Sequence, residues 1–213
     1  SWVNNGTLTF EANAGNSRLR TNGADLSITG TGTIDMTEGG IIDGGARVTF
    51  GSGQTIIGKG NIGANGIAIT NGGLINANVS GQTLTLDPAN AANFNTGLML
   101  ASGGGTLAFT GNGAGAIDNT GGTVRADANS TFLMQANASL LNGSLSTTGS
   151  GTIKFNDGDN AYLTDTTTSG NLRLGAGAFL HTITSWVNNG TLTFEANAGN
   201  SRLRSNGNDA NVT

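Results

Sequence analysis

The chain has 213 residues, among them 37 Gly, 30 Thr and 28 Asn, with 36% hydrophobic and only 10% charged side chains. Good helix formers are scarce and Gly or Asn interrupts every stretch of about ten residues, which excludes a helical protein and points to an all-β fold. A net charge of −4 and a pI near 4.7 argue against nucleic acid as a partner, because phosphate binding needs a basic face.

The opening stretch SWVNNGTLTFEANAGNSRLR, from Ser1 to Arg20, recurs letter for letter from Ser185 to Arg204. TNGADLSIT at Thr21 to Thr29 then becomes SNGNDANVT at Ser205 to Thr213, with five of nine positions changed. Residues 1–184 are read as one full tandem repeat and residues 185–213 as the start of the next, continuous with the first. The expectation is a window from a longer tandem array, so further copies of the same repeat are the first partners. There is no Cys, so disulfides and thiolate metal sites are absent and export stays open. No apolar run in residues 1–213 approaches the roughly 18 residues of a membrane span.

In chain order, apolar residues recur in pairs separated by one residue: Leu8 and Phe10, Ile34 and Met36, Val48 and Phe50, Ile67 and Ile69, Leu84 and Leu86. Leu107 and Phe109, Val124 and Ala126, Ile153 and Phe155, and Leu172 and Leu174 complete nine pairs between Ser1 and Thr184. Alternation of period two predicts short strands with these pairs facing a core. A preceding set, Val3, Leu26, Ile42, Ile57, Ile75, Phe94, Ile117, Leu141 and Leu163, reads as a second inward column, so each rung carries at least two strands. The step from pair to pair is shortest from Ile34 to Val48 and longest from Val124 to Ile153, and its mean is the length of one solenoid coil. Eight Asn-Gly steps favour hairpins and hence a β-sandwich. Against this, strands of four to five residues with small polar corners suit a narrow coil, and a solenoid extends by tandem copies without capping. The predicted fold is therefore an all-β, right-handed parallel β-helix of about nine rungs per repeat, the hand being that of parallel crossovers in general. Nine rungs advance about 43 Å.

The phrases GQTLTLDP (Gly81 to Pro88), GLMLASGGGTLAFTG (Gly97 to Gly111), AIDNTGGTVRADANSTFLMQ (Ala116 to Gln135) and GSLSTTGSGTI (Gly143 to Ile153) resemble the tandem repeats of giant bacterial exported proteins. They are similar to filamentous haemagglutinin and to autotransporter passenger shafts. The resemblance implies a β-helix at the cell surface or in a secreted fibre, serving as stalk, adhesin or scaffold. It brings no functional residue with it.

The sequence offers little chemistry. His181 is the single His, so a Ser-His-Asp site would have to be built around it, and a surface or corner position is expected instead. Metal binding through His clusters is excluded by that count. Asn156, Asp157, Asp159 and Asn160 in NDGDN could offer oxygen ligands to Ca²⁺, but their spacing matches no calcium loop and reads as a solvated turn. A polysaccharide-acting enzyme needs clustered carboxylates, whereas Asp35, Asp43, Asp118, Asp157 and Arg125 are scattered between rungs. Thr7/Thr9 and Thr83/Thr85 suggest an ice-binding ladder that other rungs interrupt. Trp2, Trp186 and Tyr162 are candidate sugar-stacking aromatics and are read as packing residues. No catalytic residue, cofactor or metal site is assigned. The expected role is structural, as part of a long extracellular or cell-surface fibre that spans distance, with lateral self-association or surface glycans as further partners. The alternative is a carbohydrate-binding adhesin surface.

Overall fold

In the computed structural model, residues 1–12, 17–111, 115–195, 200–205 and 211–212 are described. They form 27 strands and no helix, so nothing in them is long and apolar enough to cross a membrane as a helix. Every strand pairing among the described residues is parallel, and partners are separated in sequence by one circuit of the chain, shorter between Ala161 and Leu180 than between Trp2 and Ile28. The chain is a β-solenoid.

Each coil has three strands on three faces, here A, B and C. One coil reads Ile117–Asp118 on face A, Thr123–Ala126 on B and Thr131–Gln135 on C. Each strand stacks on its equivalents in the coils before and after. Two long strands, Asn160–Ser169 and Phe179–Asn188, turn the A–B corner at single left-handed residues, Asp165 (φ 50°) and Thr184 (φ 66°). They join faces A and B into one 18-stranded sheet, and face C is a separate sheet of nine strands.

Alternation explains the core. On face B, Ile34, Ile56, Ile75, Met99, Val124 and Leu145 stand in register, and all are buried. On face C the inward column is Leu86, Phe109, Met134, Phe155 and Leu174. β-branched and aromatic side chains stacked at the strand spacing of about 4.8 Å fill the coil. Phe155 is 1% exposed, so Phe155→Ala is expected to cost about 3–5 kcal/mol, read as a lowered denaturation midpoint.

The A–B corner is polar yet buried. Asn71, Asn95 and Asn119 lie inside and form a ladder: Asn71 Nδ2 donates to Asn95 Oδ1 at 2.8 Å, and Asn95 Nδ2 to Asn119 Oδ1 at 2.6 Å. Asn71 Oδ1 also accepts from the backbone of Gly73, closing its own corner. Gly73, Gly97 and Gly122 line this edge, where a Cβ at Gly97 would strike the carbonyl of Gly73 in the coil below. Buried amides tolerate this position because each meets the next. Asn95→Ala removes the amide between Asn71 and Asn119, with an expected loss of about 1–3 kcal/mol in chemical denaturation.

Three features differ from the sequence-based expectation. The nine apolar pairs are not one per coil: Ile34/Met36 lies on face B, Val48/Phe50 on A and Leu84/Leu86 on C. With three strands per coil, the stretch from Trp2 to Trp186 spans eight and one third coils, slightly fewer than the nine pairs suggest. The second inward column is not one column. Val3 and Phe94 are 62% and 39% exposed, and Ile57 and Leu141 are only half-buried, because Ile56, Leu140 and the Asn93/Asn95 pair take the inward positions. Asn142-Gly143 has the two left-handed residues of a hairpin turn, φ 60° and 68°. It nevertheless turns the chain from Ala138–Leu141 on face A to Ser144–Thr147 on face B.

Candidate functional site

Among the described residues, charged and aromatic groups gather outside the coil in several places, including the Arg47 guanidinium 5.6 Å from the centre of the Phe94 ring, and two of these regions are the most extensive. On face C, Lys154, Arg173 and Thr193 stand in register on successive coils. Lys154 Nζ lies 3.0 Å from Asp157 Oδ1 and 3.2 Å from Glu195 Oε2, and Arg173 Nη1 donates to Glu195 Oε1 at 3.2 Å. Partial burial works against the Lys154 ammonium, but its hydrogen bonds to Asp157 and Glu195 and their charge prevail, and its pKa is raised. Beside this strip lies a shallow depression of about 310 Å³, lined by Ser150, Thr152, Asn171, Leu172, Arg173, Thr191 and Thr193.

On face A, His181 is paired in register with Tyr162 below and Arg204 above. The Tyr162 and His181 rings stack with centroids 4.7 Å apart and planes at 18°, and His181 Nε2 lies 3.2 Å from Asn160 Oδ1. The guanidiniums of Arg204 and Arg202 sit 4.3 and 5.9 Å from the centre of the Phe179 ring, within cation–π range. His181 is thus mid-strand and 6% exposed, not the surface or corner residue expected. Its burial comes from the coils on either side, which sequence spacing alone does not reveal.

The structure separates the remaining candidates. Asp35, on face B, accepts from Thr37. Asp43, on face C, is bound by Arg18 at 2.8 Å and Arg20 at 3.2 Å. Asp157 pairs with Lys154, and Arg125 with Asp127. In NDGDN, Asn156 Nδ2 donates to Asp159 Oδ2, and Asn160 Nδ2 to Asn137 Oδ1, so these side chains bind one another and their neighbours. Among the described residues no three His, Cys, Asp or Glu side chains group as metal ligands. Thr83, Thr106, Thr131 and Thr152 do form a ladder on face C, but the parallel outward column runs Thr85, Ala108, Leu133, Lys154. A two-column Thr array is therefore not built there. Trp186 is fully buried, with Nε1 donating to Thr168 Oγ1 at 3.0 Å, and Trp2 is half-buried against the core. Both are packing residues, whereas Tyr162 lies on the outer side of face A.

Comparison with family models, curated proteins and solved structures finds no match to the chain.

Asp118, on face A, accepts from Thr120 Oγ1 at 2.6 Å, Asn142 Nδ2 at 2.8 Å and the Thr120 backbone N–H at 3.0 Å. The Thr120 and Asn142 side chains lead in holding its carboxyl below the usual carboxylate range, against a smaller opposing effect of burial. A pKa lowered by folding stabilises above the unfolded value and ceases to do so as pH falls through the folded one. Asp118→Asn is therefore expected to lower the melting temperature at neutral pH. The gap from wild type should close as pH drops below the ordinary Asp range, followed by circular dichroism melts across pH.

Proposed function

We propose that the chain is a structural segment of a long extracellular bacterial fibre or adhesin shaft, whose work is to span distance and hold whatever it carries away from its anchor. The observation that carries this reading is the passage from the first copy of the repeat to the second. Leu174 pairs with Phe194 on face C, Leu180 with Leu203 on face A, and Thr166 with Trp186 and then Val212 on face B. The second copy thus adds strands to all three columns, and further copies can do the same because each coil rests only on its neighbours. The extracellular setting is supported by the likeness of GQTLTLDP and its companion phrases to exported bacterial repeats, and is compatible with a Cys-free chain.

Electron microscopy of the native protein tests the proposal. Thin unbranched rods with an axial spacing near 4.8 Å, advancing about 40 Å per copy, are the expected result. Compact separate particles would overturn it.

A second reading, a glycan-binding face, is favoured by the hydroxyl- and amide-lined depression beside Arg173, groups that suit neutral or acidic sugars. Retention on a glycan array that is lost in Arg173→Ala would support it.

A further inference from the structure

The duplicated segment occupies different faces in its two copies. In the first, Trp2 lies on face A, Leu8 on B and Leu19 on C. In the second, Trp186 lies on B, Leu192 on C and Leu203 on A. Each equivalent residue has moved on by one face, because eight whole coils and one further strand separate the copies.

We infer that successive copies of this repeat are related by a third of a turn about the fibre axis, measured against the three columns. The surface pattern then returns to the same face only after three copies, a whole number of coils. This inference rests on the shaft reading above. Its consequence is a mode of display. A feature on face C of one copy, such as the Lys154–Arg173 strip with its depression, appears on face A of the next and on face B of the third. Ligands on all sides of the rod are addressed in turn, at axial steps of about 40 Å. A flat partner lying along one side meets the same feature about every 120 Å.

The seam tolerates the rotation through its side chains. On face C, Arg18 and Arg20 bind Asp43 in the following coil. On face A, the identical Arg202 and Arg204 lie over Phe179 of the preceding coil. In an array, an interior copy of this pair therefore has the preceding copy's aromatic strand on one side and its own carboxylate on the other. Arginine serves both, since its planar cation stacks on rings and pairs with carboxylates.

The chain has no Cys, so double-cysteine variants of the whole chain report the register directly. Register partners on parallel strands are about 4.8 Å apart, inside the roughly 4.4–6.8 Å that a disulfide bridges. Arg173→Cys with Thr193→Cys places both thiols on face C, and oxidation is expected to remove all free thiol. Ser169→Cys with Thr193→Cys tests a whole number of coils. Thr193 is the equivalent of Thr9, and the face B column that contains Thr9 runs through Ser146 to Ser169. This second pair should keep its thiols. Lys154→Cys with Arg173→Cys, within one copy, is the control that must link. Linkage of Ser169 with Thr193 in place of Arg173 with Thr193 overturns the rotation and leaves the continuous stack intact. Linkage of neither, with the control linked, overturns the continuous stack itself.

Discussion

The constraint that governs this molecule is the parallel backbone ladder. Every strand must find partners for its N–H and C=O groups in the coils on either side, and parallel pairing sets each residue directly on another about 4.8 Å away. Side chains are therefore chosen in columns. An aliphatic residue on face B is acceptable because Ile34, Ile56, Ile75, Met99, Val124 and Leu145 continue it. A buried amide is acceptable at the A–B corner because Asn71, Asn95 and Asn119 satisfy one another. The close approach of coils at Gly73 and Gly97 leaves no room for a Cβ, so corner composition follows from the same rule.

Much of this was legible in the sequence. The exact repeat and the period-two alternation pointed to stacked parallel strands, and pairs such as Leu84 with Leu86 are buried as read. Phase and face number were not legible, for a physical reason. In Asn93–Asn95 the polar residues point inward and Phe94 outward, the opposite of the hydrophobic rule, because the Asn ladder decides the matter and exists only between coils. The Tyr162–His181 stack was hidden in the same way. It depends on a short coil, made by turning a corner on one residue, Asp165, and neither side chain announces the other in sequence.

The duplicated segment sharpens the point. Identical local sequence means identical local preference, yet Leu8 stacks on face B and Leu192 on face C. The face is set by how many strands came before, and the strand itself supplies only alternation and length. The Arg-Leu-Arg segment fits both settings because it meets a carboxylate in one and an aromatic ring in the other. A side chain with two modes of recognition suits a seam between copies.

The near-constant distance between partners has a consequence for how such a chain acquires its shape. Whatever the total length, each new coil has to close a loop of only about 22 residues, an entropy cost of about 2.7 kcal/mol plus a constant. The finished coil below presents a ready edge for it. Folding can thus proceed coil by coil along the chain, with a search that does not grow as copies are added, although all-β topologies of comparable length are ordinarily slow. A polypeptide that emerges gradually, one end first, would condense behind its leading end, each closed coil removing slack from the segment that follows.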